Sequence, residues 1–333
     1  MSSTNSLSLR ITLVFLCFGA LLTASILAGL SIGSADVHFR DLIDLLNGRA
    51  RDTIAHTIIL EIRLPRVVLA AVVGASLALG GLVFQALLRN PLAEPYILGV
   101  SGGSAIGAIL ALLAGFSFFP GAAVASFAGS MLVLGLLLFM AAGRSFARSD
   151  SLLLGGVMIN ALCGAVIMFL ISLARDAQVQ HVLFWLMGDL SMFGRERFVG
   201  LLIVLPCFAV IFLLARPMNL LLMGRENAAA LGVNVRLVTN LLLFSTTLMV
   251  SVAVSHAGLI GFVGLVVPHI LRMTVGPDHR LLAPACILGG GAYLVLCDLL
   301  ARSLPASGEM PVGVITALVG APLFILLLWR GRR

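Results

Sequence analysis

The chain has 333 residues, of which 60% are hydrophobic and only 11% are charged, whereas soluble domains average about 45–50% and about 25%. Its formal net charge is +7, but it contains no lysine, so all 21 basic residues are arginines. A P-loop needs a lysine to reach the β- and γ-phosphates of a nucleotide, so this composition excludes both an ordinary soluble domain and a Walker-type ATP site.

Ten long apolar stretches dominate the chain. A helix of about 20 mainly apolar residues crosses the hydrocarbon core of a bilayer, whereas barrel strands alternate in segments of about ten residues. The continuous apolar stretches therefore predict an all-α, polytopic membrane protein with one transmembrane domain, residues 1–333. The predicted spans are residues 11–33, 64–88, 96–115, 121–143, 152–174, 198–215, 235–254, 258–275, 281–304 and 311–329.

The first span, residues 11–33, is longer than the apolar region of 7–15 residues that is typical of a signal peptide, and only a weak cleavage site follows it. Arg10 stands directly before it. We therefore expect this stretch to be retained as a transmembrane helix.

The distribution of arginine predicts the orientation in the membrane. Ten spans place both termini on one side, and a cytoplasmic location gives the inner segments 12 of the 21 arginines. This agrees with the enrichment of arginine in cytoplasmic loops. The outer segments carry the other arginines and most of the acidic residues, and such mixed charge suits the docking of a soluble partner.

The residues give little support to other kinds of site. The cysteines are isolated inside apolar stretches and show no C-x-x-C spacing, so neither a disulfide framework nor a metal site is predicted. The positive charge does not indicate a nucleic-acid partner, because no basic stripe with interleaved aromatic residues is present. We expect no catalytic residue and no cofactor bound by this chain. The five cysteines are Cys17, Cys163, Cys207, Cys286 and Cys297.

Small residues shape the third span. Gly99, Gly103 and Gly107 recur every four residues, which predicts a smooth helix face that another helix backbone can approach closely. Before this span, residues 89–95 contain two prolines and Asn90, which predict a rigid turn at the end of the second span.

An alanine-rich segment, residues 220–234, lies between the sixth and seventh spans and is too polar to enter the bilayer. Its glutamate and alanines favour a helix, and its glycine is placed to end that helix. A short exposed cytoplasmic helix of this kind suggests that another protein docks on it. The residues concerned are Arg225, Glu226, Asn227, Ala228, Ala229, Ala230, Leu231 and Gly232.

Charged side chains inside predicted spans mark functional sites, and Asp298 and Arg302 are the clear cases here. Their i, i+4 spacing predicts an ion pair, which we place at the surface, at the outer end of the ninth span. A proton-coupled transporter needs an ionisable group near the middle of the membrane. His256 lies near a span end, and His269, which follows Pro268, is interpreted as a packed histidine.

In order and spacing, several segments resemble those of the FecCD-type permeases, the membrane subunits of ABC importers for iron-siderophores, haem and cobalamin. The resemblance runs from about residue 60 to the C-terminus, whereas the first span and residues 34–60 match poorly. The matching segments are residues 63–66 (RLPR), 85–95 (QALLRNPLAEP), 98–103 (LGVSGG), 184–188 (FWLMG), 226–233 (ENAAALGV), 261–272 (GFVGLVVPHILR), 276–280 (GPDHR), 298–302 (DLLAR) and 310–322 (MPVGVITALVGAP).

This resemblance implies a cobalamin-permease-like (type II importer) bundle of about ten helices in the bacterial inner membrane. It implies a homodimer surrounded by lipid, with the pathway at the dimer interface. It also implies two ATP-binding subunits on the cytoplasmic face, which hold ATP and Mg²⁺, and a periplasmic or lipid-anchored substrate-binding protein outside. Residues 225–232 would form the coupling helix that contacts the ATPase. Arg63, Arg66 and Arg302 would meet acidic residues of the binding protein.

Two other functional classes make different demands. A secondary transporter driven by an ion gradient predicts ionisable residues near the middle of the membrane, and the sequence shows no clear example. A membrane-embedded enzyme needs a convergent nucleophile and base or a metal cluster, and the His, Cys and acidic residues show no such grouping. The motifs favour the importer, but they do not select among siderophore, haem and cobalamin.

Overall fold

The computed structural model describes residues 2–33, 39–47, 54–96, 98–116, 121–142, 149–174, 176–191, 198–305 and 308–330. The ordered elements in these ranges are all helical. They are α1 (Ser2–Ser31), α2 (Phe39–Leu46), α3 (Ile54–Thr57), a π-helical segment (Ile58–Arg63), α4 (Leu64–Leu88), α5 (Val100–Leu113), α6 (Ala123–Ala142), α7 (Ser149–Leu173), α8 (Asp176–Leu186), α9 (Phe198–Leu202), α10 (Val204–Leu213), α11 (Ala215–Leu222), α12 (Arg225–Ala230), α13 (Val235–Ala257), α14 (Val263–Val275), α15 (His279–Ser303) and α16 (Val312–Arg330).

Each of the ten predicted stretches contains a helix, which confirms the all-α, polytopic fold class. Among the described residues, five helical segments are long and apolar enough to cross a membrane, and a bent pair of helices makes a sixth. Shorter apolar helices occupy the remaining four stretches. The five long segments are Ser8–Ser31, Ile54–Leu88, Leu154–Leu173, Val235–Ala257 and His279–Ser303.

The sixth predicted span, residues 198–215, is not one straight helix. Ile203 separates α9 from α10, and the helices on either side of Leu214 meet at an angle of 52°. Pro217 lies in the first turn of α11; it has no N–H to bond to the Leu213 carbonyl, and in a straight helix its ring would clash with that carbonyl. As a result α11 turns away from the direction of α10 and leads into α12.

Helix α4 forms the centre of the bundle and packs against α13, α14 and α15. A methyl group added to Gly81 would lie 1.8 Å from the carbonyl oxygen of Gly264 on α14. Likewise, a methyl group on Gly107 of α5 would lie 2.0 Å from the carbonyl oxygen of Ala125 on α6. The close helix approach predicted from the glycines of the third span is therefore confirmed, and the same kind of contact also holds α4 to α14.

Substitution of Gly81 by alanine is expected to destabilise the bundle by about 1–3 kcal/mol, because the new methyl group must push α4 and α14 apart. The measurement is the melting temperature of the detergent-solubilised protein. Gly19→Ala on α1 is the matched control, since a methyl group there meets nothing within 4 Å. Equal melting temperatures for the two variants would contradict the packing described here.

Candidate docking and coupling sites

Two basic side chains share one buried carboxylate where α4 begins and α15 approaches its end. Arg66 donates from Nε to Oδ1 of Asp298 at 2.9 Å, and Nε of Arg302 lies 3.0 Å from Oδ2 of the same carboxylate. Arg66 also pairs with Glu309, whose side chain is 41% exposed. We call Arg66, Asp298, Arg302 and Glu309 the arginine network, and the part of the bundle that contains them the network end.

The structure confirms the ion pair predicted between Asp298 and Arg302 but not its position. The surface location was wrong, because Asp298 is completely buried and Arg302 is only 6% exposed. The i, i+4 spacing identified the partner on the same helix. It gave no indication that Arg66, from a helix far away in sequence, covers the other carboxylate oxygen.

Two arginines at the network end also hold the C-terminus of α1. Arg63 donates from Nη1 to the carbonyl oxygen of Leu30 at 2.8 Å, and Arg302 donates from Nη2 to that of Gly29 at 3.1 Å. The last carbonyls of a helix have no partner within the helix and carry the negative end of its dipole. The two guanidinium groups therefore satisfy these carbonyls and fix α1 to α4 and α15.

The three arginines predicted to dock a binding protein thus lie together at one end of the bundle, and all three are buried: Arg63 is 3%, Arg66 7% and Arg302 6% exposed. Their contacts within the chain give them a structural role that the sequence did not reveal. Contact with a binding protein stays a prediction. Glu309, which sequence reasoning missed, is the member of the network that is most open to solvent.

The predicted coupling segment forms a short helix, α12, at the opposite end of α4. The helix ends as predicted: Gly232 has φ +86°, its N–H bonds to the Ala229 carbonyl at 2.9 Å, and the N–H of Val233 bonds to the Ala228 carbonyl at 3.0 Å. This pair of bonds is a Schellman motif. Ala228 is fully buried, whereas Leu231 is 62% exposed, so the segment is anchored on one side and presents an apolar side chain on the other.

The surroundings of α12 are positively charged. Burial and the nearby charge of Arg89 both lower the pKa of Arg225, and these two arginines line a small cavity with Leu87, Leu221 and Thr239. Two close guanidinium groups make a surface that attracts acidic side chains of a partner.

The rigid turn before α5 contains Glu94, which is only 6% exposed. Burial raises the pKa of Glu94 from its ordinary value of 4.5 to about 7, because a charged carboxylate is poorly solvated there. The folded protein therefore retains a proton on Glu94 in the pH range where the unfolded chain has lost it.

The sign of this shift predicts how stability depends on pH. The contribution of Glu94 is fully present below about pH 4.5 and is lost as the pH rises through about 7. Glu94→Gln should remove a difference of about 3 kcal/mol between pH 5 and pH 8. Melting temperatures across this range test the prediction, with Glu226→Gln on exposed α12 as control; a wild-type slope in the Glu94 variant would contradict it.

One known protein family matches nearly the whole chain. Residues 21–330 match the family model described as the FecCD transport family. The chain belongs to the FecCD transport family. This confirms the resemblance found in the motifs and extends it into the first span, where the motifs matched poorly.

Individual members of the FecCD family match over most of their length. The chain is 41% identical to the hemin transport system permease protein HmuU of Yersinia pestis over 332 residues, which cover 97% of this chain and 96% of that one. It is 44% identical to the cobalamin import system permease protein BtuC of Halobacterium salinarum over 275 residues, 82% of this chain and 74% of that one.

Solved structures agree with the fold. An inward-facing structure of a metal-chelate type ABC transporter matches with a TM-score of 0.83 and 33% identity, covering 96% of this chain and 99% of that one. PsaBC from Streptococcus pneumoniae matches with a TM-score of 0.58 and 19% identity, covering 86% and 94%, and shows the fold alone. The family and its relatives favour a permease of an ABC importer over an ion-driven secondary transporter.

Proposed function

We propose that this FecCD-family chain is the membrane permease subunit of a binding-protein-dependent ABC importer that moves an iron chelate, such as a siderophore complex or haem, or cobalamin across the bacterial inner membrane. The observation that carries the proposal is the family match over residues 21–330, together with relatives named for both hemin and cobalamin transport.

The energy for transport comes from partner chains. The sequence has no lysine for a P-loop, so separate subunits bind and hydrolyse ATP. Two such ATP-binding subunits dock on α12 at the cytoplasmic face, where both termini also lie.

The permease works as a homodimer. The exposed apolar side chains of α7, such as Leu162 at 58% and Phe169 at 61%, support contact with lipid or with the second copy. The external binding protein docks at the network end.

The mechanism is alternating access. Closure of the ATP-binding subunits shifts the permease between two conformations, because they bind one of these better than the other. Their contact with α12 communicates this preference to the helices of the bundle. Since the chain offers mainly apolar helix faces, it binds the chelate weakly during passage, and the external protein provides most of the specificity.

Uptake into proteoliposomes tests this function. The permease is reconstituted with the ATP-binding subunit that co-purifies with it and with its binding protein, and accumulation of haem, a ferric siderophore and cobalamin is measured with and without ATP. Accumulation of one of them should require ATP and fail with an ATPase variant that lacks the P-loop lysine. Accumulation driven by an ion gradient without the ATP-binding subunit would overturn the proposal.

Docking of the binding protein at the network end leads to a separate prediction. Glu309→Gln removes a partly exposed negative charge beside the arginines, so it should strengthen association with an acidic partner severalfold at low salt. The gain should vanish near 1 M salt, where screening is strong. The measurement is the affinity of the variant for the binding protein across a salt series. An affinity that matches wild type at every salt concentration would show that these arginines do not contact the binding protein.

A further inference from the structure

A cluster of polar side chains joins α11 to the start of α15. Asn219 on α11 donates from Nδ2 to Oδ1 of Asp278 at 2.7 Å, and its Oδ1 accepts the backbone N–H of His279 at 2.9 Å. Nδ1 of His279 also lies 2.7 Å from the same Asn219 oxygen. A carboxylate only accepts and a backbone N–H only donates, so these partners fix the orientation of the Asn219 amide. We call Asn219, Asp278 and His279 the Asn219 clasp.

The acidic member of the clasp is itself held firmly. Asp278 caps the N-terminus of α15 by accepting the backbone N–H of Arg280 at 2.9 Å, and the Arg280 guanidinium donates to its second oxygen, from Nε at 2.9 Å and from Nη2 at 2.6 Å. Partial burial opposes ionisation, but the hydrogen bonds from Arg280 and Asn219 lower the pKa of Asp278 to about 2. Asp278 is therefore an anionic acceptor throughout the physiological range.

The clasp lies at the start of α15, the helix that connects the two ends of the bundle. Helix α11 is followed directly by Met223, Gly224 and α12, so the clasp lies on the element that leads into the coupling segment. Helix α15 begins at His279 in the clasp and reaches Asp298 and Arg302 in the arginine network. At 1.5 Å per residue, a helix of 25 residues is roughly 37 Å long, so α15 crosses from one end of the bundle to the other.

The junctions on both sides of α11 are points where movement can be absorbed. On one side, Leu214 separates α10 from α11 at the 52° bend, and on the other, Gly224 has φ +118°. The clasp restricts rotation of α11 about these junctions through directed hydrogen bonds to α15, in addition to the packing of the fully buried Met218.

We propose that Asn219 is a positioning residue that makes α11 and α15 move as one unit, so that a displacement of α12 by the ATP-binding subunit is passed to α15. This inference rests on the proposed function. Without the clasp, α11 would still follow α12, but the movement would be taken up at Leu214.

The test uses the complete reconstituted complex and measures ATP hydrolysis and chelate uptake in the same proteoliposomes, with the chelate that wild type accumulates. Asn219→Ala should reduce the chelate transported per ATP about five- to tenfold, a typical size for coupling between sites, while ATP hydrolysis stays within about twofold. Asn219→Asp should behave similarly, since it places a second carboxylate beside Asp278. Arg216→Gln, an exposed change on the same helix, should retain wild-type coupling.

A double variant provides the decisive comparison. Asn219→Ala is combined with Asp278→Ala, and the double variant is compared with the two single variants in a double-mutant cycle. Because both changes break the same contact, the double variant should lose clearly less transport per ATP than the product of the two single losses. A proportional fall in uptake and hydrolysis, an unchanged ratio in Asn219→Ala, or a double variant that loses the full product of the single losses would overturn the inference. Failure of wild type to require ATP would instead overturn the proposed function.

Discussion

Replacing Asp298 by alanine should cost about 3–5 kcal/mol of stability, because it leaves buried guanidinium groups without their shared counter-ion. Among the described residues, Arg66 would retain Glu309 and Arg302 would retain the carbonyl oxygen of Gly29 as the partners of these guanidinium groups. Neither arginine can recover solvation, since both are buried. The melting temperature of the solubilised protein should fall by about 10 °C.

Two further variants separate the charge effect from other consequences of the change. Glu309→Gln removes the partly exposed carboxylate of the same network and should cost only about 1 kcal/mol, because Arg66 retains Asp298 and the glutamine oxygen can still accept a hydrogen bond from it. Asp298→Leu combined with Arg302→Met removes both charges of the i, i+4 pair and should recover part of the lost stability. A melting temperature for Asp298→Ala within 2 °C of wild type would contradict the buried network.

Leu231→Asp on the coupling segment should reduce ATP-dependent uptake by about ten- to a hundredfold. Leu231 is exposed and apolar at the end of α12, so a partner that covers it gains about 1.5–3 kcal/mol from burying its side chain. A carboxylate in its place would have to be buried without a partner. Fold stability should change little, because the side chain has few contacts within the chain.

Co-purification of the ATP-binding subunit and uptake in proteoliposomes measure this effect. Leu92→Asp is the matched control, since Leu92 is 41% exposed and lies in the turn after α4, outside the membrane-spanning segments. The control should retain the ATP-binding subunit and uptake. If Leu231→Asp transports at the wild-type rate while ATP hydrolysis stays fully stimulated, α12 is not the coupling helix.

The local features of this chain were accessible from its sequence. Continuous apolar stretches predicted helical structure in all ten places, because the composition of each stretch is enough to identify it as a span. The end of α12 was predicted for the same kind of reason, since a glycine in the left-handed region is a short-range signal. The bend at Leu214 had a local signal too, Pro217, although the span around it looked continuous.

The features that sequence reasoning missed depend on residues far apart in the chain. Asp298 and Arg302 are four residues apart and were paired correctly, but Arg66 is separated from Asp298 by 232 positions. That third side chain turns a surface ion pair into a buried network. The Asn219 clasp was missed likewise, because nothing in α11 indicates that it lies beside the turn before α15.

The attachment of α1 has a consequence for how freely its sequence can vary. Arg63 and Arg302 grip main-chain oxygens of Leu30 and Gly29, groups that every amino acid supplies. The hydrogen bonds of this anchor therefore depend on side chains of α4 and α15 and on the peptide backbone of α1, while packing restricts Leu30, which is buried, and Gly29, where a methyl group would lie 3.0 Å from Val67. The lipid-facing side chains of α1 can therefore be exchanged while its C-terminus stays bound to α4 and α15.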